Sequence, residues 1–280
     1  MSKEGGIAVR GFKKYFPNAI LLLIAFAFLL PLAWLVVSSF NPGASQALTL
    51  PEKLSFDNYQ VILSNPKIQN GFANSLIISL IQTLVVLIIS LSAAYPLSRY
   101  NLKAAQKISM TMLFLTSIPL TAVLVPVYQM FIALKLVDTI PGTIIFLSAS
   151  GLPYGIWMMK NFLDGVSVEL EEAAWIDGAS PVQSVRHVVL PLMLPGLFTV
   201  AMFTFVGSWG NFFVPFILLT STKNITASVN IYRFFGEHGL VMYGQLAAYS
   251  IIYMIPVFVL YFLSQNYMSQ GFVMTGAAKG

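Results

Sequence analysis

Asn74–Leu97 reads NSLIISLIQTLVVLIISLSAAYPL, a run in which apolar residues follow one another without the period-two alternation of a membrane β-barrel strand. At about 1.5 Å per residue, such a run is long enough to cross the roughly 30 Å of hydrocarbon in a bilayer. A helix is the form in which this backbone satisfies its own hydrogen bonds where lipid offers none. The stretch therefore predicts a membrane-spanning helix, and the fold follows from how often it recurs. Similar runs lie at about Pro17–Phe40, Ile108–Ala133, Ile140–Met159, Leu192–Leu219 and Leu246–Leu263. Gly151, Pro153 and Gly155 interrupt the fourth run in chain order, a break that membranes tolerate where protein or water re-satisfies the backbone. The expectation is an all-α polytopic membrane protein of about six transmembrane helices, one domain over residues 1–280.

Composition agrees. The chain is 57% hydrophobic and 9% charged, where a soluble domain carries about 25% charged residues. The net charge of +5 comes from basic residues scattered at span ends, with no dense patch suited to a polyanion, so a nucleic-acid partner is not expected. Cysteine is absent, which excludes disulfides and thiolate chemistry. Arg10, Lys13 and Lys14 precede the first apolar run. That run is longer than a signal-peptide core and lacks a small-residue cleavage site, so it reads as a retained span.

Lys and Arg near the spans set orientation. With both termini in the cytoplasm, ten basic residues fall inside (Lys3, Arg10, Lys13, Lys14, Arg99, Lys103, Lys107, Lys160, Arg186, Lys279) and five outside (Lys53, Lys67, Lys135, Lys223, Arg233). Two outer segments exceed simple turns. Residues 41–73 contain a Phe56–Leu63 stretch fit for an interfacial helix, and 220–245 mixes Asn230, Tyr232, Arg233, Phe234, Phe235 and Glu237. Such a mixture suits a docking face or an aromatic belt at the headgroups.

Between the fourth and fifth spans, residues 161–191 hold Asp164, Glu169, Glu171, Glu172 and Asp177 against Arg186. The local chemistry predicts two short helices. Ser167 is placed to N-cap the first, with Glu169 and Glu171 near its positive end. Gly178 is placed to end it in a left-handed conformation. Ser180 and Pro181 then start a second helix, which runs through Arg186 and His187 to Pro191. Glu169, Glu172 and Ile176 share one face at helical spacing, with Val168, Glu171 and Trp175 on the next. Acids beside apolar anchors on a stiff knob suit a partly basic cleft in a partner.

Glu172-Ala173-Ala174, Gly178, and Leu190-Pro191 with Val188 two residues before it resemble the EAA loop of ABC-importer permeases, whose pattern is E-A-A, three residues, G, nine residues, I, one residue, L-P. The resemblance covers nearly the whole chain and lies closest to the carbohydrate-uptake branch, with its maltose-permease-like six-helix subunit. Pro31, Trp34, Ser39-Phe40, Asn58-Tyr59, Phe72, Asn74-Ser75-Leu76, Ile176-Asp177-Gly178-Ala179-Ser180 and the ending Gly276-Ala277-Ala278-Lys279-Gly280 carry it. Trp209-Gly210-Asn211 departs from the branch's frequent Trp-Asn followed by a polar residue, and weakens any carry-over of a sugar contact there. The resemblance implies a bacterial inner-membrane, multi-pass subunit of an importer. It implies a second homologous permease, two copies of a cytoplasmic ABC ATPase and an extracytoplasmic solute-binding protein as partners, besides membrane lipid. ATP and Mg are expected on the ATPase and no cofactor on this chain, which contains no G-x-x-x-x-G-K-[ST] loop. The ATPase-coupling residues it implies are Glu171, Glu172, Ala173, Ala174, Asp177, Gly178, Leu190 and Pro191.

Polar side chains at membrane depth face protein or water rather than lipid. Asn74, Gln82, Tyr128, Gln129, Ser208, Trp209 and Asn211 are the candidates for a substrate pathway. Helix–helix hydrogen bonding is the competing reading for each. His187 and His238 fall in loops on opposite sides, so no metal pair is expected, and no Ser/His/Asp constellation marks a catalytic site. The spans lack an acidic residue, which argues against a secondary carrier. An importer for a polyamine, phosphate or amino acid is the alternative within transport.

Overall fold

The computed structural model describes the backbone of residues 4–47, 49–235 and 241–277, and the side chains of residues 16–47, 49–232, 234–235 and 241–268. Lys3, Glu237, His238 and the tail residues Ala278, Lys279 and Gly280 lie outside the described residues, as do the side chains of Arg10, Lys13, Lys14 and Arg233. Among the described residues 78% are helical and none lies in a strand. Two compact units contain it, one of residues 1–65 with 231–254, the other of 66–230 with 255–280.

In the first unit, α1 (Glu4–Ser39) is followed by α2 (Asp57–Ser64), so a helix occupies the stretch expected at Phe56–Leu63. The apolar window of α1, with a mean hydropathy of 2.9, has no buried residue. Water would not tolerate such a surface, and its solvent is lipid or another apolar chain. Polar contacts hold the α1–α2 connection. Asn58 Nδ2 donates to the carbonyls of Ser39 (3.1 Å) and Asn41 (3.2 Å), and Tyr59 donates to Ser39 Oγ at 2.8 Å. The 3-10 turn Ile231–Phe234 leads towards α13 (Tyr243–Ala277), with Phe234 packed on Tyr249 at 5.0 Å. Phe234 is buried, while Tyr232 and Phe235 of the same segment are exposed.

The second unit holds α3 (Pro66–Arg99), α4 (Ala105–Thr116), α5 (Leu120–Ala133), α6 (Ile140–Asp164), α7 (Glu169–Ile176), α8 (Pro181–Ser184), a π-helical turn (Val185–Val189), α9 (Leu190–Leu192), α10 (Leu194–Trp209), α11 (Phe213–Leu218) and α12 (Ala227–Asn230). Among the described residues four helices are long and apolar enough to cross a membrane, or up to six if each bent pair is one span. The run expected over Ile108–Ala133 is one such pair, bent by 91°. Pro119 explains the bend: it donates no N–H, disfavours a helical residue before it, and is itself extended at ψ 122. The run expected over Leu192–Leu219 is also divided. Pro181–Leu192 meets α10 at 70°; after Trp209 the helix stops, and Asn211 Oδ1 accepts from Val214 N at 3.0 Å to start α11. By contrast, α6 continues through Gly151, Pro153 and Gly155, beyond the expected end at Met159.

With lipid as solvent, helix association rests on close approach and polar pairing rather than on the hydrophobic effect. The α3–α6 crossing shows this: Gly155 leaves so little room that a Cβ there would meet Ser90 Oγ at 2.5 Å. Two buried apolar clusters flank the polar mid-section. One gathers Ile78, Leu124, Phe131, Phe146 and Leu218; the other gathers Val86, Met159, Leu163, Val189 and Met193.

The α5–α6 connection is braced by Asp138. Its Oδ1 accepts from Thr220 N, Ser221 N and Ser221 Oγ, each at 3.0 Å, while its N–H donates to Leu218 O at 2.8 Å. Burial opposes ionisation of this carboxyl, but the Ser221 and Thr220 donors outweigh it and hold the pKa below the ordinary value. A depressed carboxylate pKa stabilises the fold above the unfolded value of about 4, and that stabilisation is lost as pH falls through the lower folded value. Asp138→Asn is therefore expected to cost about 1–3 kcal/mol at neutral pH. The deficit, followed by thermal unfolding in detergent, should shrink on acidification; a deficit independent of pH would refute the charge-based account.

Candidate functional site

The acidic loop begins where Gly165 ends α6. Ser167 does not N-cap the next helix as expected. Val168 holds that position without a side-chain cap, because the Ser167 hydroxyl donates to the Glu169 carboxylate instead. That hydrogen bond lowers the pKa of the Glu169 carboxyl. The helix N-terminus is served by charge, with Glu169, Glu171 and Glu172 in its first turn.

The other end of α7 follows the sequence. Gly178 takes φ +89, a region that a Cβ disfavours. Gly178 N donates to Trp175 O (3.0 Å) and Ala179 N to Ala174 O (2.9 Å), the paired bonds of a Schellman motif. Ser180 then caps α8 in a reciprocal box: its N–H donates to Gln183 Oε1 at 2.8 Å, and its Oγ accepts from Gln183 N at 3.4 Å. Pro181 occupies the first turn. Downstream, the turn Val185–Val189 is π-helical, with Leu190 N donating to Val185 O. Pro191 has no N–H to give and its ring crowds the carbonyl four residues back, so a widened turn ahead of it is the local accommodation. Leu190 is half-buried and Pro191 exposed, just ahead of the 70° bend into α10.

This hairpin of two helices sorts its residues by direction. Glu172, Ala173, Asp177 and Gly178 are exposed and Ala174 half-buried. Large apolar side chains are exposed beside them: Ile176 by 86%, Val182 by 76% and Trp175 by 43%. Glu171 is different. It is the buried side chain of α7, ion-paired with Arg99 Nε and accepting from Tyr95 OH at 2.9 Å. Arg99 also donates to the carbonyls of Leu163 (3.1 Å) and Val166 (3.0 Å). Among the coupling candidates, then, Glu171 faces the protein interior and Glu172 the outside. Arg99 and Tyr95 were not legible as site residues, since nothing in local spacing connects positions 95 and 99 to position 171. The available signal was an arginine ending a span on the side expected to carry the acidic loop.

At membrane depth, Gln82 and Asn211 border one polar cleft of about 190 Å³ with Ser150, Gly151, Tyr154, Thr204 and Gly207. Gln82 Nε2 donates to Leu147 O at 3.1 Å, while its buried Oε1 has no partner among the described residues. The other pathway candidates fall elsewhere. Asn74 Nδ2 clamps the carbonyls of Lys223 (2.8 Å) and Ile225 (3.0 Å). Trp209 is buried in stacking contact with Phe205 at 5.9 Å, and Ser208 is buried next to it. Tyr128 packs against the first apolar cluster, and Gln129 is exposed on α5. His187 Nδ1 lies 3.0 Å from Gln183 O. Among the described residues no cluster of three His, Cys, Asp or Glu could hold a metal.

The family profile described as "Binding-protein-dependent transport system inner membrane component" matches residues 86–273. The trehalose transport system permease protein SugB of Mycobacterium tuberculosis is 30% identical over 262 residues, covering 92% of this chain and 95% of that protein. The trehalose/maltose transport system permease protein MalG of Thermococcus litoralis is 30% identical over 263 residues, covering 92% and 94%. A solved chain of a bacterial ABC transporter that imports the acidic polysaccharide alginate superposes with a TM-score of 0.77 at 22% identity, over 92% of this chain and 98% of that one. That likeness shows a shared fold.

Proposed function

The chain belongs to the family of binding-protein-dependent transport system inner membrane components, and from that membership we propose that it is one permease subunit of an ATP-driven importer for a sugar or oligosaccharide. A member of this family is a transport component and not an enzyme. The observation that carries the ATP-driven reading is the exposed face of α7, where Glu172 and Ile176 stand one helical turn apart on a helix closed at its far end by a Schellman motif. A compact acidic and apolar face of this kind fits a partly basic cleft on a cytoplasmic ATPase. The reading has both termini in the cytoplasm, as the ten-to-five distribution of Lys and Arg supports. It includes a second, homologous permease completing a heterodimer, two ATPase copies that bind ATP and Mg, and a solute-binding protein on the outer side. No cofactor is assigned to this chain.

Sugar as cargo rests on the trehalose and maltose permeases that share nearly the full length of the chain. The polar cleft at Gln82 and Asn211 supports it, since amide and hydroxyl groups beside the Tyr154 ring suit a hydroxylated ligand. The test is reconstitution of the complete complex in proteoliposomes. Uptake of the sugar bound by the cognate solute-binding protein should require that protein and ATP, and vanadate should abolish it. Gln82→Ala or Asn211→Ala should raise the KM for uptake with basal ATPase unchanged. Uptake that persists without the ATPase would replace this reading with a secondary carrier. Uptake of a polyamine, phosphate or amino acid in place of sugar would move it to the alternative cargo.

A further inference from the structure

Two glutamates adjacent in sequence, Glu171 and Glu172, have opposite fates. Successive residues on a helix point about 100° apart, so one side chain of the pair can reach the interior while its neighbour stays exposed. Glu171 is the buried side chain of α7, so this eight-residue helix holds on to the rest of the unit through an ion pair where an apolar anchor would be usual. Its partner is not a loose surface cation. The Arg99 side chain is 6% exposed and that of Glu171 1%. The Arg99 guanidinium also takes the carbonyls of Leu163, in the last turn of α6, and Val166, just beyond it. Tyr95, one turn before Arg99 on α3, completes the set from its hydroxyl. One cation thus ties together the end of α3, the end of α6 and the inner face of α7. An apolar contact of similar area would let α7 slide. A planar guanidinium with several directed N–H bonds fixes both position and angle.

We propose that Arg99 is a positioning residue for energy coupling: through Glu171 it makes the exposed face of α7 and the inner ends of α3 and α6 move as one piece. The proposal rests on the reading of α7 as the ATPase contact. In that reading, force arriving at Glu172 leaves the loop through Glu171 and reaches the spans through Arg99. The pair is deeply enough buried that removing either partner leaves an uncompensated charge, so single substitutions loosen the joint without touching the outward face.

The experiment uses the complete transporter in proteoliposomes, carrying Arg99→Gln, Arg99→Lys, Glu171→Gln or the exchange of Arg99→Glu with Glu171→Arg. Each is purified as the assembled fraction and read for solute transported per ATP hydrolysed. Arg99→Gln and Glu171→Gln should keep ATP hydrolysis while transport per ATP falls about tenfold, within the range that site-to-site coupling energies span. Arg99→Lys, which keeps charge but not the planar fork, should recover part of it, and so should the exchanged pair. If the assembled fraction of every variant transports as many solutes per ATP as the unsubstituted complex, whatever the loss in yield, the pair serves folding alone and the proposal falls. Glu172→Lys in the same assay separates the two levels. Should that variant also leave transport per ATP unchanged, the reading of α7 as the ATPase contact fails; should it uncouple while the Arg99 variants do not, only the positioning role fails.

Discussion

Glu172→Lys is expected to leave a complex that assembles and hydrolyses ATP but imports almost nothing. Glu172 is exposed and its side chain makes no hydrogen bond or ion pair among the described residues, its one bond being from the backbone N–H to Val168 O, so the substitution spares the fold. Its local cost is the loss of one acid from the first turn of α7, about 0.3–1 kcal/mol of helix-dipole stabilisation. The effect on a partner is much larger. Reversing a charge that faces a basic group in a closed interface trades attraction for repulsion, and even truncating one such partner costs about 2–5 kcal/mol. That is enough to reduce uptake well over tenfold. Glu172→Gln should fall between, because it keeps hydrogen bonding and loses only charge. The measurement is uptake alongside ATPase activity in the reconstituted complex. Undiminished uptake in the lysine variant would refute the role of the α7 face.

Gly155→Leu is expected to disrupt the α3–α6 crossing. At that position α3 and α6 approach so closely that a Cβ would sit 2.5 Å from Ser90 Oγ and 2.8 Å from Val86 Cγ1. Val86 and Ser90 are fully buried, so neither side chain has free space to rotate into. Overpacking of a tight core costs about 1–3 kcal/mol and sometimes more. Alanine should show the lower end of that range and leucine exceed it by prying the helices apart. Thermal denaturation of the purified protein in detergent reads the series. A leucine variant as stable as its parent would show that the crossing is softer than its geometry. Gly151, one turn earlier, has neighbours at 3.6 Å and serves as the control that should accept alanine.

These two sites mark different kinds of legibility. Glu172 stands out through the resemblance of residues 172–191 to the EAA loop, and that run specifies a left-handed glycine and a helix N-cap, each a short-range event that the chain decides within a few residues. Gly178 and Ser180 behave as that chemistry requires. Ser167 does not, because its own neighbour Glu169 competes for the hydroxyl. The helical, membrane-spanning class was legible for a similar reason, since hydrocarbon imposes one length and one backbone form on any segment that crosses it. Among the described residues four helices meet that length, or up to six if each bent pair is one span. The breaks were not all legible. Pro119 bends its span, yet Pro153 does not end α6.

By itself, then, the sequence determined the solvent, the helical class and the capped end of the acidic helix, because those depend on composition, periodicity and caps that act over one or two turns. Only the tertiary structure decided which of two adjacent glutamates turns inward, since that depends on Arg99, a residue far away in sequence and near only after α3 and α6 have packed. It also decided that Gln82 and Asn211 share a cleft while Asn74 is spent on backbone carbonyls at Lys223 and Ile225. Polar residues in a span carry the same signal whether they line a cleft or staple two segments together. Their partners across the bundle make the difference, and those partners are a property of the packed fold.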